Sequence, residues 1–325
     1  MRLNDLRLSD LRFVDLYLGE DFAEIKGLQG SEHLTDPAPK ELDAELQTIR
    51  RLCRSKHVEE KDREFSISVD GHRYRVTMLK EFDGTNIFVL RRFSLQVRAL
   101  SELAFFSKIK TLFTRPDLKG LILIAGETGA GKTTTASAIV KARLENIGGV
   151  GLAIEDPPEV NLSGTIGRGR CIQVRASRQT GGYKEPLVLA LRSNPDLIFL
   201  GEIREESAAA EVVHASINGH LIISTIHAAS VSTAIERLAA LASGDRDPQV
   251  AYKMIAMGLK AVIWQQLTVS ELGHEPALSY TALVLDGEQD SGPRGKIREG
   301  KCGQVEQDVD HQMRRSALNP HSSTF

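Results

Sequence analysis

One eight-residue segment constrains this chain more than any other: Gly126-Glu127-Thr128-Gly129-Ala130-Gly131-Lys132-Thr133, directly after the apolar run Leu121 to Ala125 and before a helical pattern. It is a complete GxxxxGK[ST] loop in the strand–loop–helix setting that such a loop requires. Its glycines let consecutive backbone N–H groups turn inward around phosphate oxygens, and the helix that follows adds the positive end of its dipole. Lys132 is then the counter-charge for the β- and γ-phosphates. The Thr133 hydroxyl is the first contact for Mg²⁺, a hard ion that keeps several waters and takes few protein ligands. Thr134 continues the same turn. The expectation is a chain that binds ATP with magnesium on this loop.

Three further apolar runs, Gly151 to Ile154, Leu197 to Leu200 and Leu221 to Thr225, are separated by longer stretches. That rhythm predicts an α/β fold with a mostly parallel sheet flanked by helices, whose ligands gather at the carboxyl ends of the strands. Glu202 follows one run and is the expected second Mg²⁺ contact; Asp196, at the other end of that run, suits a turn after Pro195. Glu155 and Asp156 follow another run, where either could polarise an attacking water or cap a turn before Pro157. Glu155, nearer the strand, is the preferred base. His220 and His227 bracket the last run and so cannot share one metal, and His227 stands at the productive edge, placed to face the γ-phosphate.

With 325 residues, 41% of them hydrophobic, the chain can hold two modest cores. A net charge of −2 gives no general attraction for nucleic acid or anionic lipid. No stretch approaches the ~20 apolar residues of a membrane span, the start lacks the apolar segment of a leader, and the odd cysteines Cys53, Cys171 and Cys302 lie far apart. A soluble cytosolic protein is expected. Residues 1–95 are read as a small α+β domain with a helix from Leu42 to Cys53 and an Asp70-Gly71 hairpin between Phe65–Val69 and His72–Lys80, followed by a short strand from Asn86. Residues 96–285 are the P-loop domain, with helices expected from Ser101-Glu102-Leu103, over Ser232 to Leu241 and over Ile255 to Leu267. Residues 286–325 are polar and are expected to form a flexible tail.

The four blocks at 126–133, 153–157, 191–204 and 219–228 together resemble the secretion and pilus ATPases of type II secretion, type IV pili and related type IV secretion systems. The resemblance implies a sensor-like N-terminal domain before a RecA-like ATPase domain, with Glu155 in an acidic box, Glu202 in a Walker B segment, and His220 and His227 in a histidine box. It implies that arginines of the first domain reach nucleotide, with Arg73, Arg75 and Arg91 as candidates and Arg175 as a further one. It also implies a ring hexamer, with ATP between the two domains and neighbouring subunits, acting on an inner-membrane platform or secretion-channel proteins. Such a ring would be peripheral at the inner membrane and have no direct nucleic-acid partner. Glu205-Glu206 departs from the family's usual Asp, and a tetracysteine insert is missing, so the compact type IVB or conjugative-transfer subgroup is the nearest match. The alternatives are a nucleotide-binding ring subunit without turnover, a small-molecule P-loop kinase and a nucleic-acid translocase.

Overall fold

The computed structural model describes residues 6–92, 97–177, 181–268, 277–285, 287 and 291–318. The chain forms two compact units, residues 1–96 with 159–161, and residues 97–158 with 162–325. The boundary expected at 95/96 lies outside the described residues.

The first unit holds β1 (Asp15–Leu18), β2 (Ala23–Lys26), β3 (Thr35–Pro37), α1 (Asp43–Glu60), β4 (Glu64–Val69), β5 (His72–Lys80) and β6 (Asn86–Arg92). Its strands form an antiparallel sheet in the order β3-β2-β1-β6-β5-β4. The β4–β5 turn is tight because Asp70 and Gly71 both take positive φ, 47° and 76°, the handedness that a two-residue hairpin needs. Along α1, Leu46, Ile49 and Cys53 recur at helical spacing and are buried in one cluster with Phe65, Tyr74, Val76 and Phe88 of the sheet. Lys61 ends the helix in the left-handed conformation.

The second unit begins with α2 (Ser107–Phe113), β7 (Gly120–Gly126), α3 (Lys132–Asn146) and β8 (Gly149–Glu155). It continues through β9 (Gly164–Ile166), β10 (Gly169–Arg175), α4 (Lys184–Arg192), β11 (Leu197–Leu200), α5 (Glu206–Ile217) and β12 (Leu221–His227). Then follow α6 (Val231–Ser243), α7 (Pro248–Gly258), β13 (Leu259–Thr268), β14 (Ala277–Val284), α8 (Ser291–Arg298) and α9 (Glu306–Leu318). The sheet order is β14-β13-β7-β12-β11-β8-β10-β9. Strands β13 to β10 in that order run parallel, and β14 and β9 close the two edges antiparallel. Every residue of β7 and β11 is buried, as continuous apolar runs covered on both faces must be.

Three expectations are corrected. The run Ile255 to Leu267 is not one helix: α7 stops at Gly258 and the chain becomes β13, whose residues Leu259, Ala261, Val262 and Ile263 are all buried in the sheet. An apolar run buried on both faces carries no period, so the sequence pattern could not separate strand from helix. Near Ser101 there is only a single 3₁₀ turn at Leu100–Glu102. The chain then stays extended, so that Phe105 and Phe106 both reach the Tyr280 ring while the Phe106 N–H donates to the Tyr280 hydroxyl at 2.8 Å.

Nor is the segment after 285 a loose tail, because Ile297, Cys302, Val305 and Val309 are buried in the main core of this unit. Polar ties reinforce that docking: Glu306 accepts from the Ser232 N–H at 2.8 Å, and the Gln312 amide both accepts from Val284 N–H and donates to Val284 C=O. Residues 319–325 of the expected tail lie outside the described residues.

Candidate nucleotide site

Strands β7, β12, β11 and β8 are neighbours, all parallel, and their registers set His227 beside Gly126, Leu200 beside Ser224, and Leu200 beside Ile154. The carboxyl ends of the four strands therefore bring the phosphate loop, His227, Glu202 and Glu155 to one edge of the sheet. Glu202 lies two residues beyond β11, on a stretch pinned from both sides. Gly201 N–H donates to Ile154 C=O at 2.8 Å, Ile203 N–H donates to Thr225 C=O at 2.8 Å, and the Thr225 hydroxyl donates to Gly201 C=O at 2.6 Å. Its side chain is half-buried.

Glu155 ends β8 and is 2% exposed, a buried carboxylate that receives the Gln173 side-chain N–H at 2.7 Å. Gly201 makes room for it, since a Cβ there would stand 3.0 Å from Glu155 Cγ. Its neighbour Asp156 is engaged differently, accepting from Arg204 Nη2 at 2.8 Å while that guanidinium lies 5.2 Å from the centre of the Tyr183 ring. Burial works to lower the Arg204 pKa, but the pull of Tyr183 in its ionised form, the charge and hydrogen bond of Asp156, and the charge of Glu202 outweigh it and the net shift is upward. Gln173 and Arg204 thus hold the two adjacent carboxylates in separate environments.

In the loop itself Gly129 and Gly131 take φ of 80° and 77°, a backbone that side-chain-bearing residues rarely adopt. Gly126 is required for another reason: a Cβ there would collide with the backbone carbonyl oxygen of Gln265 on β13. Helix α3 starts at Lys132 with no side-chain cap, so its first-turn N–H groups are not satisfied by a capping side chain. Lys132 Nζ folds back over the loop and donates to Gly126 C=O at 3.0 Å and Glu127 C=O at 2.8 Å. Thr133 and Thr134 are half-buried on the first turn of α3. An uncapped helix start behind a glycine loop, with an ammonium folded over it, fits a polyphosphate chain. Among the described residues no three His, Cys, Asp or Glu side chains form a metal-binding group. Mg²⁺ carried on phosphates takes one or two protein ligands, a demand that Thr133 and Glu202 can meet.

Of the four candidate arginines, three belong to the first unit and one to the second. In the first unit Arg91 makes a two-pronged pair with Asp15 at 2.7 and 2.8 Å, Arg75 meets Glu64 at 3.2 Å, and Arg73 is exposed. In the second, Arg175 ends β10 in register with Glu155. His220 lies at the opposite end of β12, where its carbonyl accepts from Gly120 N–H at 3.0 Å. Sequence reasoning missed Gln173, Arg204 and Gln265 as site-supporting residues. Gln173 and Gln265 are polar side chains within strands and Arg204 lies in the irregular stretch after β11, so none of the three forms a local pattern that a sequence search would pick out.

Residues 49–309 match the family model described as Type II/IV secretion system protein. The chain belongs to that family. The type IV pilus ATPase PilU of Pseudomonas aeruginosa is 32% identical over 206 residues, which is 62% of this chain and 52% of PilU. The type IV pilus retractation ATPase PilT of the same organism is 29% identical over 249 residues, 74% of this chain and 67% of PilT. The type II secretion system protein E of Klebsiella pneumoniae is 36% identical over 190 residues, 56% of this chain and 35% of that protein. The chain therefore spans about half of PilU and about a third of the Klebsiella protein.

Among solved structures, the pilus retraction motor PilT with bound ADP superposes with a TM-score of 0.75 at 23% identity, covering 92% of this chain and 86% of that one. The Legionella pneumophila ATPase DotB gives 0.72 at 20% identity, covering 91% and 84%. Both likenesses are of fold: an N-terminal α+β domain followed by a RecA-like domain with a mostly parallel sheet.

Proposed function

We propose that this chain is a subunit of a Mg²⁺-dependent, ATP-hydrolysing ring hexamer. It works on the cytosolic side of a secretion, pilus or conjugative-transfer apparatus and converts turnover into rotation of one domain against the other. The observation that supports this most directly is the convergence of Gly126, His227, Glu202 and Glu155 on adjacent strand ends. A solved PilT structure of this fold holds bound ADP, which supports nucleotide binding by this chain.

On this reading the loop N–H groups and Lys132 bind the phosphates, with Lys132 exchanging the Gly126 and Glu127 carbonyls for phosphate oxygens. Thr133 and Glu202 would hold Mg²⁺, which when bound neutralises phosphate charge. Glu155, oriented by Gln173, takes the proton of the attacking water as its oxygen bonds to the γ-phosphorus and the bond to the bridging oxygen breaks. His227, level with Gly126, senses whether a γ-phosphate is present. Arg73, Arg75 and Arg91 are proposed as the first domain's contribution to nucleotide, and an inner-membrane platform or channel protein as the partner.

Steady-state phosphate release with light scattering on the same sample tests this for wild type, Lys132→Ala, Glu155→Gln and Glu202→Gln. Glu155→Gln is expected to lower turnover by about 10²-fold or more, the usual yield of a positioned base, with ADP affinity within about twofold of wild type. Lys132→Ala should lose both. Wild-type turnover in Glu202→Gln would remove that residue from the metal site. A folded hexamer without turnover would replace the motor with a binding-only ring.

A further inference from the structure

Strand β13 joins the sheet beside β7, with Trp264 opposite Ala125, so Gln265 follows at the level of Gly126. Gln265 is 1% exposed, yet polar. Its Nε2 donates to the Ala130 carbonyl oxygen at 2.5 Å, while Oε1 is buried with no hydrogen-bond partner among the described residues. Chemistry fixes which end of the amide faces the loop, since an oxygen in that place would repel the Ala130 oxygen. A Cβ added to Gly131 would stand 3.4 Å from the same Nε2, and one added to Gly126 would strike the Gln265 main chain. One residue of a neighbouring strand thus borders the loop at Gly126, Ala130 and Gly131.

A buried amide that leaves one acceptor unpaired carries a desolvation cost that Leu or Met of similar volume would avoid. What Gln265 supplies, and an apolar residue does not, is the donor to Ala130. In a trans peptide the carbonyl of Ala130 and the N–H of Gly131 point in opposite directions. Holding that carbonyl toward β13 turns the Gly131 N–H away from β13. We propose that Gln265 is a positioning residue of the phosphate loop, fixing the Ala130–Gly131 peptide so that the Gly131 N–H is already presented to a nucleoside di- or triphosphate before it binds. This rests on the reading of the loop as a nucleotide site.

ADP affinity is measured on the full chain by titration at pH 6 to 8 for wild type, Gln265→Leu, Gln265→Glu and Lys132→Ala, together with the ligand-free unfolding midpoint. Gln265→Leu is expected to bind ADP about five- to tenfold more weakly, one hydrogen bond's worth, with its ligand-free midpoint within a few degrees of wild type. In Gln265→Glu the ionised carboxylate faces a carbonyl. Burial raises its pKa, so protonation on the acid side restores an O–H donor. Its affinity relative to wild type at the same pH should therefore recover as pH falls, a profile that Gln265→Leu does not show. Should Gln265→Leu fail to fold, the pH profile of Gln265→Glu carries the test.

Wild-type affinity in Gln265→Leu, or a flat relative profile in Gln265→Glu, while Lys132→Ala loses ADP, overturns the role of Gln265 and leaves the loop standing. Undiminished binding by Lys132→Ala overturns the nucleotide site itself and this proposal with it.

Discussion

Arg91 and Asp15 meet across the adjacent strands β1 and β6, where the register sets them directly opposite. Asp15 is 4% exposed, and Arg91 closes over it with two nitrogens, a geometry that matches the guanidinium fork to both carboxylate oxygens. The hydrogen bond to Asp15 raises the Arg91 pKa further. Truncating the arginine strands a buried carboxylate, so Arg91→Ala is expected to cost about 1–3 kcal/mol of stability with no nucleotide present. Arg73→Ala, on an exposed side chain, should stay within about 0.5 kcal/mol. Urea unfolding of the ligand-free variants reads both. An Arg91→Ala protein as stable as wild type but weaker for ADP would show that the guanidinium's main work is at the nucleotide instead.

Helices α8 and α9 show how few apolar residues dock an element onto an existing core. Ile297 is fully buried between polar neighbours, so Ile297→Ala removes core volume and should cost about 2–5 kcal/mol, whereas a residue of a loose tail would cost almost nothing. An unchanged unfolding midpoint would contradict the docked arrangement. The same arithmetic explains what the sequence disclosed. The phosphate loop, the four strands that carry site residues and the β4–β5 hairpin were legible, because glycine spacing, buried apolar runs and an Asp-Gly turn are local signals. Helix α9 was not, since its single fully buried anchor, Val309, disappears in an average over polar residues. Strand β13 was misread because burial on both faces erases its period. Strands β1 to β3 escaped notice because they are only three or four residues long and draw stability from pairing rather than from any pattern of their own. The pairings around the site, Gln173 with Glu155 and Gln265 with Ala130, bridge residues far apart in sequence and become visible only once the strand order is known.

The two units have separate hydrophobic cores, and the three cysteines are distributed between them: Cys53 in the first core, Cys302 in the second and Cys171 on β10. All three are free and buried, and burial pushes each thiol up to about 12. Near pH 8 the reactive thiolate is thus nearly absent while a unit is folded. It becomes plentiful on unfolding, where the thiol returns to about 8.5. Native protein should therefore give no modification by a thiol reagent over minutes, and each cysteine then reports the opening of its own unit as urea rises. Cys171 and Cys302 should become reactive together, and Cys53 at a different urea concentration, because each unit has its own hydrophobic core. Saturating ADP tests where nucleotide acts. A ligand at 100 times its Kd stabilises the folded form by about 2.7 kcal/mol, and with a urea slope of about 1–3 kcal/mol/M that moves a midpoint by about 1 M or more. Peptide mass spectrometry of labelled protein is expected to show this shift for Cys171 and Cys302. A parallel shift of Cys53 would mean that the first unit also holds nucleotide, as its arginines are proposed to do. A shift of Cys53 alone would move the nucleotide away from the Gly126 loop.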